Sequence, residues 1–262
     1  MKLAFSKYHG TGNDFIMVDN RKLNISLSRE QINYLCDRHL GIGADGLILM
    51  NLAEKFDFEM HYFNSDGGEG TMCGNGGRCI TAFAWDMGIK KDHFEFLAID
   101  GIHQSKLIST HESSKIISIK LADVNLINHF KNHYFINTGS PHYIEFVKKI
   151  DEIDVRARGR KIRWNKKFMP GGTNVNFAEI RNNEIHLRTF ERGVEDITLS
   201  CGTGSTATAI AAWHELDKKE NRFNIHSLGG ILEIQFEYQG GKFTDIWLTG
   251  TAMKVFEGQI EV

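Results

Sequence analysis

The chain has 262 residues, 41% of them hydrophobic and 24% charged, with a formal net charge of −2. That length forms one large or two modest domains with a real core. The near-neutral balance excludes a global attraction for nucleic acid or an anionic membrane, and no apolar run approaches the ~18 residues of a membrane span.

The opening Met-Lys-Leu-Ala-Phe-Ser-Lys-Tyr-His-Gly lacks a hydrophobic signal core and a cleavage site, so a cytoplasmic setting is expected. Residues 2–8 alternate as a strand, turn at His9-Gly10-Thr11-Gly12, and resume at Asp14–Val18. Ser28-Arg29-Glu30-Gln31 has the form of a capping box that starts a helix to about His39. Gly41-Ile42-Gly43-Ala44-Asp45-Gly46 reads as a loop before a strand over Leu47–Asn51, and residues 57–64 alternate again to deliver Asn64 at a strand end. A buried helix is predicted over 75–88 and strands over 93–121. Strands are also predicted over 132–147 and 173–190, a second apolar helix over 204–217, and strands over 230–238, 242–249 and 252–260. Each half therefore reads as many strands around one apolar helix, with a boundary near residue 118. The expected domains are 1–118, joined by a C-terminal strand 252–262, and 119–251. Phe63 stands ten residues before Cys73 and Phe190 eleven before Cys201, a weak self-similarity consistent with an internal repeat.

Cys73, in Met-Cys-Gly-Asn-Gly-Gly-Arg-Cys, and Cys201, in Ser-Cys-Gly-Thr-Gly-Ser-Thr-Ala, each open a glycine turn, and each is followed twelve residues later by a tryptophan, Trp85 or Trp213. The other two cysteines, Cys36 and Cys79, read as small buried hydrophobes. No Cys-x-x-Cys or His-paired cluster points to zinc, and four cysteines in an unsecreted chain do not suggest a disulfide framework. A thiol at a helix N-terminus sits near the positive end of the dipole, which can bring its pKa from ~8.5 into the range of about 3.5–7.5. Glycines beside it leave backbone N–H groups uncovered, a nest that suits a carboxylate. Gly74 and Asn75 would supply such donors at one helix, and Gly202 and Thr203 at the other. Neither turn fits a P-loop or a Rossmann fingerprint. Two thiols facing one site can take a proton from one face of a carbon and return one to the other. Helix-end donors stabilise the charge that develops in the carboxylate. No cofactor or metal is called for.

At these residues the chain resembles the diaminopimelate epimerases. The resemblance spans nearly the whole length. It rests on His9-Gly10-Thr11-Gly12-Asn13-Asp14-Phe15, Phe63-Asn64-Ser65-Asp66-Gly67, Met72-Cys73-Gly74-Asn75-Gly76, Thr173-Asn174-Val175-Asn176-Phe177, Glu191-Arg192-Gly193 and Cys201-Gly202-Thr203-Gly204. It implies an α/β fold of two pseudo-symmetric domains, each a wrap of strands around a central helix, with a site in the cleft between them. It also implies PLP-independent epimerisation of LL-2,6-diaminopimelate to the meso form, for lysine and peptidoglycan precursors. Cys73 and Cys201 are then the base and acid pair. Asn13, Asn64, Asn174, Glu191 and Arg192 match positions that hold substrate: Arg192, Asn64 and Asn174 at the distal end, Asn13 and Glu191 around the reacting ammonium. His142, in the turn Gly139-Ser140-Pro141-His142, is a candidate with Glu191 for tuning the thiols by hydrogen bonding. Two departures stand out, Gly46 where many members have glutamine and Ser140 where many have asparagine. Gly46 could act only through its backbone, and Ser140 keeps a shorter donor able to work through water.

The expected partner is a small-molecule substrate, with no nucleic acid and no membrane, and a homodimer is left open. Two other readings stay open. One is a racemase or isomerase of the proline racemase or phenazine-biosynthesis type. The other is a non-catalytic amino-acid-binding redox sensor, since convergent thiols can oxidise to a disulfide.

Overall fold

The computed structural model describes residues 2–181, 184–216 and 220–262. The chain divides into two compact units, one running to Ile119 and including Gly250–Val262, the other Lys120–Thr249. Among the described residues no helix is long and apolar enough to cross a membrane.

The first unit contains β1 (Lys2–Gly10), β2 (Asn13–Asp19), α1 (Arg29–Cys36), β3 (Gly46–Asn51), β4 (Phe58–Asn64), β5 (Glu69–Gly70), α2 (Gly74–Asp86), β6 (His93–Ala98), β7 (Gly101–Thr110) and β8 (Ser114–Lys120). The second contains β9 (Ile127–Phe130), β10 (His133–Asn137), β11 (Pro141–Phe146), α3 (Val155–Arg163), β12 (Asn174–Arg181), β13 (Glu184–Glu191), β14 (Asp196–Thr198), α4 (Gly202–Glu215), β15 (Arg222–Ser227) and β16 (Gly230–Gln239). The last strand, β17 (Lys242–Glu261), gives residues 242–249 to the second unit and 250–261 to the first.

In the first unit the ladder runs β17–β1–β2–β3–β4–β6–β7–β8 and returns to β17, a closed barrel. Closure removes the exposed edges that an open sheet would leave. Helix α2 lies inside, buried on every side from Gly74 to Ala84. A helix so enclosed must be thin: a Cβ built on Gly77 would lie 2.1 Å from Ile119 Cδ1. The second unit repeats the order. Its ladder runs β9–β10–β11–β12–β13–β15–β16–β17, and the chain before β9 pairs back on β17 through Leu121 and Val124. Helix α4 is enclosed in its turn, and the buried Thr206 and Thr208 hydroxyls donate to the carbonyls of Gly202 and Gly204 four residues back. The parallel pairs β4/β6 and β13/β15 straddle α2 and α4. The parallel pairs β2/β3 and β11/β12 straddle α1 and α3 in the same way.

The local signals hold at α1, where Ser28 Oγ accepts from Gln31 N and Gln31 Oε1 accepts from Ser28 N. Ser28→Ala is expected to cost about 1 kcal/mol, read as a lower urea midpoint at constant slope. An unmoved midpoint would refute the cap's contribution. The helix stops at Cys36 rather than His39, because the Asp37 carboxylate accepts from the amides of His39 and Leu40 at 2.7 Å each and draws the chain into a turn. Other boundaries also differ from the sequence reading. Strands 242–249 and 252–260 are one continuous strand, β15 was not foreseen, and α4 starts two residues early. Residue 217, the predicted end of that helix, lies outside the described residues. Helix α3 was also unforeseen, because its basic run from Arg156 to Arg163 masks the apolar period and only Val155, Gly159 and Arg163 are buried. It is capped by Asp154 and packs so close to β13 that a Cβ on Gly159 would lie 2.5 Å from Phe190 Cβ.

Candidate active site

Cys73 is the N-cap of α2, with extended backbone (φ −104°), and its Sγ accepts from the Gly76 amide at 3.2 Å. The amides of Gly74 and Asn75 fall in the first turn of that helix, where backbone donors have no partner within the helix. A Cβ on Gly76 would lie 3.2 Å from Cys73 Sγ and 3.3 Å from Met60 Cε, so this glycine admits the sulfur as well as exposing backbone.

Below the cysteine the site side chains are tied in one directional chain. Arg78 donates to Asn75 Oδ1 at 2.8 Å, Asn75 Nδ2 to Asn13 Oδ1 at 3.2 Å, and Asn13 Nδ2 to Asp45 Oδ2 at 2.6 Å. Arg38 bridges Asp45 and Asp14, and Lys7 pairs with Asp14 while donating to the Gly43 carbonyl. The two amides are thus oriented by a cation at one end and a carboxylate at the other. Arg78 is fully buried on neutral acceptors, Asn75, Thr11 Oγ1 and the Gly74 carbonyl, and its Nε has no hydrogen-bond partner among the described residues. Burial pushes its pKa down to about 10, while the sulfurs of Cys79 and Cys73 work in the opposite direction. Gly10 leaves room for it: a Cβ there would lie 3.0 Å from the guanidinium. Asn64 ends β4 directly opposite Gly46 of β3. A Cβ on Gly46 would lie 2.5 Å from the Phe63 carbonyl oxygen and 2.6 Å from the Tyr62 ring, which is why no side chain stands there.

In the second unit Cys201 is the N-cap of α4, 8% exposed. Its Sγ lies 3.6 Å from Thr203 Oγ1, and Thr203 Oγ1 lies 3.0 Å from His142 Nε2. Behind the imidazole, Asn176 Nδ2 contacts His142 Nδ1 at 3.1 Å and the Tyr143 carbonyl at 3.0 Å, while the Thr189 hydroxyl donates to Asn176 Oδ1. The carbonyl can only accept, so the Asn176 nitrogen is settled and donates to Nδ1. The neutral ring then carries its proton on Nε2 and donates it to Thr203, whose own hydroxyl hydrogen is left to point at Cys201 Sγ. His142 is fully buried, and burial, with Arg192 adding to it, pushes its pKa down to about 3. The sequence reading put His142 in a turn; it instead lies in β11 with its ring wholly enclosed. Gly204 is a glycine because Asn176 Oδ1 would stand 2.6 Å from a Cβ there.

A second cluster of this unit joins Ser140, Asn174 and Arg192. Asn174 Nδ2 donates to Ser140 Oγ at 2.8 Å, the Arg192 amide donates to Asn174 Oδ1 at 2.9 Å, and the guanidinium reaches the Gly171 carbonyl at 3.1 Å and Ser140 Oγ at 3.5 Å. Ser140 Oγ thus touches both Asn174 and Arg192 directly. Glu191 closes β13, paired in register with Asp196. Cys36 and Cys79 are buried; burial pushes the Cys36 thiol up to about 12 and the Cys79 thiol higher still. Among the described residues no group of three or more His, Cys, Asp or Glu could hold a metal.

Arg78, Asn176, Asp45 and Tyr62 escaped the sequence reading. Signals existed for two of them: an arginine in an otherwise apolar helix, and an asparagine two residues from Asn174, hence on the same strand face.

A family model described as diaminopimelate epimerase matches residues 5–119 and 134–255. The diaminopimelate epimerase of Flavobacterium psychrophilum is 46% identical over 97% of this chain and 98% of its own. That of Chlorobaculum tepidum is 42% identical over 96% and 98%. Among solved structures, a phenazine biosynthesis protein of Bacillus anthracis aligns over 100% of both chains with a TM-score of 0.80 at 15% identity. A probable proline racemase of Agrobacterium radiobacter aligns over 99% of this chain and 93% of its own with a TM-score of 0.68 at 14% identity. At such identities these two bear on the fold alone, and they agree with the α/β, helix-centred barrels described above.

Proposed function

The chain belongs to the diaminopimelate epimerase family, and on that premise we propose that it interconverts LL- and meso-2,6-diaminopimelate by a cofactor-independent two-base mechanism. The observation that carries this reading is the repeated cysteine N-cap, Cys73 on α2 and Cys201 on α4, each with its sulfur at the mouth of a buried helix. One sulfur, as thiolate, takes the α-proton; the other, as thiol, delivers a proton to the opposite face, and the configuration inverts. The electron pair left on the α-carbon spreads into the adjacent carboxylate. The first-turn amides of Gly74, Asn75, Gly202 and Thr203 hold that carboxylate and stabilise its growing charge. Asn13 and Glu191 receive the reacting ammonium. Arg192, with Asn174, Ser140 and Asn64, holds the distal amino-carboxyl end, the guanidinium being suited to a carboxylate by its planar fork. His142 keeps Thr203 aimed at Cys201. The cytoplasm, where thiols stay reduced, suits two free cysteines in one reaction. Whether the enzyme works as a homodimer is answered by sedimentation.

The test is proton exchange. Pure LL-diaminopimelate in heavy water, with reductant and a chelator, should convert to the meso isomer with deuterium at the inverted α-carbon, while proline, which has one carboxylate, stays unchanged. Turnover of proline in place of diaminopimelate would favour a racemase of the proline type. Binding of diaminopimelate without α-proton exchange would favour a sensor.

A further inference from the structure

We propose that Tyr62 is a positioning residue of the substrate site, holding Asn64 so that an amide N–H, rather than its oxygen, faces the distal carboxylate. The proposal rests on the epimerase reading above. Strand β4 carries Met60, Tyr62 and Asn64 on one face, since side chains two apart point the same way. The first of these lies against the Cys73 turn, with Met60 Cε 3.3 Å from where a Cβ on Gly76 would stand. Tyr62 therefore occupies the stretch of strand between the reacting sulfur's turn and the distal asparagine.

The ring is seated in a slot made by missing side chains. On β3, a Cβ on Gly46 would lie 2.6 Å from the ring, and on β5, a Cβ on Gly70 would lie 2.8 Å from it. The strands on either side of Tyr62, β3 and β5, thus drop their side chain where the ring passes. Phe15 meets it edge to face at 5.9 Å between centroids. So confined, the phenol places its hydroxyl 2.8 Å from Asn64 Oδ1, to which it donates. Asn64 Nδ2 also contacts the Gly68 carbonyl at 3.4 Å, which sets the same amide orientation, because a carbonyl only accepts. With its oxygen engaged by the phenol and one N–H turned to the Gly68 carbonyl, the exposed Asn64 amide has its other N–H to offer outward. Donors select a carboxylate and would repel the ammonium of the same distal centre.

Tyr62→Phe keeps the ring in its slot and removes only the hydroxyl. In this variant the KM for LL-diaminopimelate should rise about fivefold to tenfold, the range for one lost hydrogen bond, with kcat changed less than about threefold. Discrimination between diaminopimelate and its distal carboxamide should narrow by a similar factor, because a released Asn64 can turn its oxygen to the amide. Gly70→Ala, which pushes the ring from its slot, should move both quantities in the same direction. Unchanged KM and discrimination in Tyr62→Phe would overturn the proposal, as would an equal loss on both substrates with a lowered urea midpoint, the mark of a merely structural ring. A wild-type enzyme inert toward diaminopimelate would instead bring down the epimerase reading, and this proposal with it.

Discussion

Replacing either Cys73 or Cys201 by alanine is expected to lower epimerisation of LL-diaminopimelate by about a thousandfold or more, within the range for loss of a positioned proton-transfer group. The reason is stereochemical. A single remaining sulfur can only return a proton to the face from which it took one, so exchange becomes uncoupled from inversion. Any residual exchange should therefore be selective: Cys73→Ala washes deuterium into one α-configuration, Cys201→Ala into the other, and neither interconverts them. Time courses by proton NMR in heavy water, started from each isomer, read both quantities at once. Cys36→Ala should keep full activity, since that thiol is buried in the core cluster around Leu35 and Leu47. Undiminished epimerisation by either the Cys73 or the Cys201 variant would overturn the two-base mechanism.

The second large effect is expected at Thr203. The chain of contacts from Asn176 through His142 and Thr203 to Cys201 aims a hydroxyl hydrogen at the sulfur, an arrangement that favours the thiolate. Thr203→Val keeps the shape and removes the donor. A hydrogen bond to a charged group contributes about 1.5–3 kcal/mol, so kcat should fall roughly tenfold to a hundredfold. Alkylation of Cys201 by iodoacetamide should move to higher pH, and Thr203→Ser should restore both. Wild-type alkylation in the valine variant would remove Thr203 from the mechanism. His142 also makes a statement about pH. Its folded pKa, about 3, lies below the ordinary 6.5, so the stability linked to it is complete above about 6.5 and drains away as pH falls toward 3. It stays neutral while the enzyme works. The kcat profile of the wild type should show no histidine inflection between pH 5 and 8, and one there would contradict a locked neutral imidazole.

Much of the candidate site's local structure was legible before folding because its signals are local. A cysteine followed by glycines and then an alanine-rich run specifies a helix start, and both N-caps lie where that pattern puts them. The strand-end position of Asn64 and the capping box at Ser28 are local in the same sense. Helix α3 was lost because its charges hide its period. It is held by Asp154 at one end and by Gly159 against Phe190, a contact across 31 positions of sequence that no window contains.

What the amino-acid order determined by itself was the type of protein: the strand-rich class, the two thiol-bearing helix starts, and the family. What only the tertiary structure decided was how those groups are aimed. The parallel register of β11 with β12 sets His142 beside Asn174 and brings Asn176 behind the imidazole. The antiparallel register of β3 with β4 sets Gly46 against Asn64 and opens a slot for Tyr62. Burial turns Arg78 from a surface-type residue into an enclosed cation that orients Asn75. The physical reason is common to all three. A hydrogen bond needs its donor and acceptor within about 3 Å in a fixed direction, and strand register and enclosure set such distances between residues far apart in the chain.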